Sequence, residues 1–197
     1  MVTRALGHAA GSPAGSGPDG VAAIMAEWAR ERPDLDVSPQ GLIGRLHRLA
    51  ARLDEELLRV YRHHGLAAGE FDVLATLRRA GEPFERTPSD LAAATMITSG
   101  AVTKRVDRLI AAGLVTRRMS RTDGRGRVVA LTVAGRHLID AAFTEHMANE
   151  HRLVGLLSVD QRAELAELLL VWTRRLGEWP SPEPRSVADG VPGNVRG

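Results

Sequence analysis

The chain has 197 residues, 44% of them hydrophobic, with 25% charged and no Cys. That is enough for one compact core with additional helices, and it excludes a disulfide framework, a thiol switch and a Cys-ligated metal. No apolar run approaches the ~18 residues of a membrane span and the N-terminal stretch lacks a signal-peptide core, so a cytoplasmic protein without a membrane partner is expected.

The formal charge of +2 is unevenly spread. Between Ser99 and Val128, eight basic residues (Lys104, Arg105, Arg108, Arg117, Arg118, Arg121, Arg125 and Arg127) stand against two acidic ones, Asp107 and Asp123. The rest of the chain is net acidic. Such a block has the form of a polyanion-binding face, because each neutralised phosphate releases counterions. A solvated Arg-rich surface is the plainer alternative.

Residues 1–18 and 180–197 are rich in Gly, Ala, Ser and Pro without periodicity and are expected to be unfolded tails. A short helix over 19–32 carries Val21, Ile24, Met25 and Trp28 and stops before Pro33, since proline disfavours helix in the residue preceding it. After Ser38-Pro39, the positions Leu42, Leu46, Leu49, Leu53, Leu57 and Val60 form one apolar stripe, which predicts a long helix over 38–64. A helix from Glu70 to Ala80 follows, with Phe71, Leu74 and Leu77 on one side and Gly81 as its stop. Thr87-Pro88-Ser89-Asp90 then supplies a cap hydroxyl, a first-turn proline and an acidic residue for a short helix through Leu91 to Thr95. Thr98 can cap a further helix from Ser99 to Ala112, with Val102, Val106, Leu109 and Ile110 inward and Gly113 at its end. Two short helices joined tightly make a helix-turn-helix.

Beyond Gly113 the period changes. Residues 114–119 and 127–132 are β-type runs around Asp123-Gly124, a hairpin signal. A lone hairpin is marginal and must lean on neighbouring helices, which makes it a wing. Two helical patterns close the fold, about 133–156 and 159–177, the second behind a Ser158-to-Gln161 capping box. Leu153, Val154, Leu156, Leu157, Leu165, Leu168, Leu169 and Trp172 exceed what one small core can use. They predict a subunit interface together with packing against the helix at 38–64.

Ser99, Thr103, Lys104 and Arg108 lie opposite or beside the buried stripe of the 99–112 helix and are the expected DNA readers. Arg121, Arg125 and Arg127 at the wing suit the narrow, negative minor groove. Arg105 flanks the stripe instead, and a half-buried Arg requires an acidic partner or a bound anion. An enzyme is not expected: there is no Cys nucleophile, no nucleophile elbow at Ser99-Gly100 and no phosphate loop after a strand. No metal site or cofactor is expected either, because His63 and His64 are adjacent and should diverge on a helix, and His146 and His151 are five apart.

The segments FDVLATLRRAG, PSDLAAATMITSGAVTKRVDRLIAAGLVTRR and TDGRGRVVALTVAG resemble, in order and content, the MarR family of winged-helix regulators, over roughly residues 40–176. The resemblance implies a homodimer joined by N- and C-terminal helices, with recognition helices in successive major grooves and wings in the flanking minor grooves. Gly124 and Gly126 around Arg125 depart from the charged wing usual in the family and make this loop more pliable. The added N-terminal helix with EWARERPDLDVSP is similar to that of the urate-responsive branch. By that resemblance Trp28, Asp72, Arg105 and Arg117 would form the ligand site. Trp28 read alone could equally be a core anchor of the added helix, and Asp72 a solvated residue or a structural ion pair.

The expected protein is thus mainly α with a small β-wing, a winged helix-turn-helix carrying a helical dimerisation region from its N- and C-terminal helices. Residues 19–179 form one MarR-like domain: the added helix at 19–32, the winged helix-turn-helix at 66–132, and scaffold helices at 38–64 and 133–179. Its expected partners are double-stranded DNA, a second copy of itself and a small anionic aromatic ligand such as urate. Its expected function is that of a repressor released from a pseudo-palindromic operator by that ligand. The alternatives are a non-specific architectural DNA-binding protein without an effector site, or a pure dimerisation module.

Overall fold

The computed structural model describes residues 19–95, 99–119 and 127–177, and the chain divides into two compact units, Met1–Asp54 and Glu55–Gly197. In the first, α1 (Gly20–Glu31) starts at Asp19, whose carboxylate accepts from the Ala22 amide at 2.9 Å. The same carboxylate takes Arg45 Nε at 2.8 Å and Nη2 at 3.0 Å from α2 (Pro39–His63). One side chain therefore satisfies a helix start and clamps two helices. Gly44 makes the close approach possible, since a Cβ there would stand 3.1 Å from Val21 Cγ1, and Val21 is buried. Arg32 ends α1 and pairs with Asp34, while Asp36 accepts from the Ser38 amide just ahead of α2.

The long stripe of α2 is buried only toward its C-terminal end. Val60 and Tyr61 are core residues of the second unit, whereas Leu42 and Leu49 are exposed. Gly65, at φ +70°, turns the chain into α3 (Ala68–Arg78). That helix starts two residues earlier than the spacing suggests, because Glu70 reaches back to the Ala67 amide at 2.9 Å. Helix α3 is the centre of the unit and buries Phe71, Val73, Leu74, Thr76 and Leu77, a wider arc than one face.

Helix α4 (Pro88–Thr95) follows the capping signal, with Thr87 Oγ1 accepting from the Asp90 amide at 3.1 Å. Helix α5 (Ser99–Ala111) packs Val102, Val106 and Leu109 into the core, and Gly113, φ +72°, turns the chain away behind it. The join at 96–98, including the Thr98 cap, and the wing tip at 120–126, including the Asp-Gly turn, lie outside the described residues.

The wing strands pair as an antiparallel hairpin, β2 (Val115–Met119) on β3 (Arg127–Leu131), with Arg117 opposite Val129. The expected two-stranded wing has a third member. Strand β1 (Glu85–Arg86) pairs with the other edge of β3, giving the order β1-β3-β2. Two charged residues carry no β signal, so this strand is made by its partner. Glu85 and Arg118, on the two outer strands, form a 2.7 Å ion pair across β3 with the Glu85 side chain buried.

Thr132 ties the wing to α6 (Val133–Val154). Its hydroxyl donates to the Gly113 carbonyl at 2.8 Å and accepts from the Gly135 amide at 2.9 Å. Gly135 lies so close to the Leu114 carbonyl oxygen that any Cβ would overlap it. Further along α6, Ile139 and Ala142 enter the core. Asp140 binds Arg78 at 2.6 Å, and Arg152 binds the buried Glu56 at 2.8 Å. Helix α7 (Val159–Leu176) opens with the expected box, Ser158 Oγ accepting from the Gln161 amide at 3.2 Å and the Ser158 amide donating to Gln161 Oε1 at 2.9 Å. No residue of α7 is buried. Among the described residues, no helix is long and apolar enough to cross a membrane.

Candidate nucleic-acid interface

Helix α5 presents two kinds of side chain. Val102, Val106 and Leu109 are at most 2% exposed and hold the helix on α3 and α4, whereas Thr103, Lys104 and Arg108 are exposed. A helix fixed by one stripe and polar on the other is what insertion into a major groove requires. Of the other expected DNA contacts, Arg127 stands exposed at the start of β3, Ser99 opens α5, and Arg121 and Arg125 lie outside the described residues.

The basic block is less free than its composition suggests. Arg118 is committed to Glu85, Arg117 Nη1 binds Asp107 at 2.8 Å, and Arg108 Nε stands 3.5 Å from Glu70. The Arg108 contact is loose and its side chain is 65% exposed, so it can turn to a phosphate at little cost. Glu70 thereby serves both the start of α3 and the recognition helix, a role the sequence does not announce.

Arg105 is half-buried, as its place at the flank of the stripe implies. Its guanidinium lies over Gly69, where any Cβ would overlap Cζ and Nε. Asp72, one turn along α3 from Gly69, lies in the electrostatic field of Arg105. Loss of water around its carboxyl raises it above the ordinary aspartate value, and that outweighs the opposing attraction of Arg105, Arg79 and His146. Asp72 as a residue keeps contact with solvent, so this carboxyl is half-hydrated rather than dry. Asp72 thus stands within the electrostatic reach of Arg105, and Arg117 has a partner in Asp107; Trp28, on α1, is 47% exposed and not a core anchor.

Gly69 and His146 were not legible as parts of this neighbourhood. The only hint was a glycine one turn before Asp72. His146 is buried in a cluster with Tyr61, Phe71 and Phe143, its Nδ1 3.4 Å from the Tyr61 hydroxyl and its Nε2 3.1 Å from Glu150. The adjacent histidines do not diverge as expected. His63 is the last residue of α2 and His64 begins the turn, so the helical angle between neighbours no longer applies and both rings meet Glu145 of α6.

A central helix, a capped short helix, an exposed reading helix and a strand-paired wing define a winged helix-turn-helix DNA-binding protein. Residues 64–126 match the model of the MarR family. The chain is 40% identical over 149 residues to the HTH-type transcriptional regulator PecS of Dickeya dadantii (strain 3937), covering 76% of this chain and 90% of that protein. Among solved structures it is similar to AbsC, a MarR family regulator of Streptomyces coelicolor, with 26% identity, a TM-score of 0.62, and 72% of this chain and 96% of that one covered. It is similar also to wild-type MarR of E. coli, with 30% identity, a TM-score of 0.54, and coverage of 64% and 93%. The chain belongs to the MarR family and is a DNA-binding transcriptional regulator of the PecS type.

Proposed function

We propose that this regulator is a homodimeric repressor that leaves a pseudo-palindromic operator when a small anionic aromatic molecule such as urate binds. The observation that carries the reading is Arg105. The helix that offers Thr103, Lys104 and Arg108 to DNA also holds a half-buried guanidinium against α3 at Gly69, in the field of Asp72. An anion that binds Arg105 pulls on the recognition helix itself, and it shifts operator affinity by its preference for one arrangement of that helix. Arg117 joins by exchanging Asp107 for the ligand, and Trp28 enters from the resemblance alone.

The dimer is supported by α7, where Leu165, Leu168, Leu169 and Leu170 are all exposed in the single chain. Apolar surface of that extent calls for a partner. Two α5 helices related by a dimer axis would enter major grooves one turn apart, with Ser99 at each N-terminus and Arg121, Arg125 and Arg127 at the flanking minor grooves. The place of action is the cytoplasm, and no cofactor takes part.

Thermal melting and operator release in the presence of urate test the proposal. Urate raises the melting midpoint, because it binds the native state, and frees operator DNA. Trp28→Phe blunts both effects while leaving DNA affinity nearly intact. If urate and related purines do neither at millimolar concentration, the effector reading fails. A footprint without sequence preference would replace the repressor by an architectural DNA-binding protein.

A further inference from the structure

We propose that His63, His64 and Glu145 form a binding site for a divalent transition-metal ion, with Zn2+ as its representative. The three side chains come from the end of α2, the turn that follows it, and α6, with Glu145 82 residues beyond His63 in sequence. His63 Nδ1 lies 3.0 Å from Glu145 Oε2 and His64 Nε2 lies 2.8 Å from the same oxygen, and the three donor atoms all fall within 4.8 Å of one another. One ring offers its near nitrogen and the other its far nitrogen, which lets neighbouring residues address a single point.

The donor set selects the ion. Two imidazoles and one carboxylate suit zinc and its neighbours in the transition series, whereas Mg2+ and Ca2+ take oxygen. With bonds of ~2.0–2.1 Å in a tetrahedral arrangement, zinc holds its ligands roughly 3.3 Å apart. The two contacts to Glu145 therefore need to widen by only a few tenths of an ångström, the two imidazole nitrogens, within 4.8 Å, close on the ion as the exposed His63 ring turns, and water completes the fourth position. Access is open, since the His63 side chain is 72% exposed and that of Glu145 41%, while His64 at 16% is held by its surroundings.

The alternative is a plain clip in which both neutral rings donate to one carboxylate. It gives the same geometry without an ion, and titration separates the two. The site is independent of Arg105 and Asp72, so its outcome and that of the effector reading are separately readable.

The experiment is calorimetric titration of the full chain with ZnCl2, with MgCl2 as control, followed by melting. The expected result is one zinc per chain, no response to magnesium, and a zinc-dependent rise of the melting midpoint. Glu145→Gln and His64→Asn weaken the affinity at least ~100-fold, beyond the 10- to 100-fold loss typical of outer-shell changes, whereas His47→Asn leaves it unchanged. His63→Asn removes the most exposed donor without touching the core and keeps the test readable should Glu145→Gln unfold. Absence of zinc binding, or binding that survives in these variants, overturns the proposal and leaves the clip.

Discussion

The winged-helix core and α7 are built from the same aliphatic residues and end in opposite states. Leu74, Leu77 and Leu91 are 0% exposed, enclosed by α3, α4, α5, α6 and the sheet, whereas Leu168 of α7 is 60% exposed. Helix α7 is as well capped as any in the chain, so its formation and its burial are separate matters. Local chemistry starts and stops a helix, but only a second surface removes its leucines from water. It is on this uncovered apolar surface that the proposed dimer rests.

Breaking the complete side should have the largest effect. Gly135→Ala places a methyl group on the Leu114 carbonyl oxygen, where backbone meets backbone and no side chain can swing aside. We expect a loss of about 3 kcal/mol or more, the upper end for overpacking, read as the shift in a urea or thermal midpoint. A midpoint within error of the wild type would mean that α6 can slide on the wing.

The unfinished side should respond differently. Leu168→Glu puts a charge on a leucine that the single chain leaves exposed, so the subunit itself should change by no more than about 0.5 kcal/mol. Sedimentation should nevertheless show a dimer dissociating at protein concentrations where the wild type remains paired. Unchanged association would remove α7 from the interface.

Gly69→Ala sharpens the comparison at the border between core and function. The added methyl meets only the movable end of Arg105, and alanine is favoured over glycine in a helix by up to about 1 kcal/mol. Stability should therefore hold or rise slightly, while the guanidinium is displaced from its place over Gly69. We expect the response to urate to fall with the fold intact, measured as operator release against ligand concentration. An unaltered response would separate Arg105 from the effector.

The smallest effect concerns Asp72. Its carboxyl is raised in the folded state, so the folded protein holds that proton more tightly than the unfolded chain does. Stability from this group is then greatest in acid and declines as pH rises through the unfolded and then the folded value. Asp72→Asn should match the wild type near pH 3 and gain on it toward pH 7, followed by thermal melting across that range. A gain that shrinks with rising pH would show that Arg105, not the loss of water, dominates.

Much of this molecule was legible from residue order alone. Thr87-Pro88, Gly113 and Ser158 mark boundaries because capping and left-handed turns act over three or four residues. The stripe of Val102, Val106 and Leu109 separates a buried face of α5 from an exposed one in the same local way. Strand β1 was not legible, because Glu85 and Arg86 become a strand only when β3 offers an edge and Arg118 reaches across it. Nor was the meeting of His63 with His64, which depends on α2 ending between them and on Glu145 arriving from α6. Residue order alone set most of the helices, the caps at Thr87 and Ser158 and the exposed polar face of α5, all governed by neighbours a few bonds away. Tertiary structure alone decided which charges are free. Arg105 over Gly69, Arg117 on Asp107 and Arg118 on Glu85 are contacts across 10 to 36 residues, and no periodicity encodes which acid a given arginine will meet.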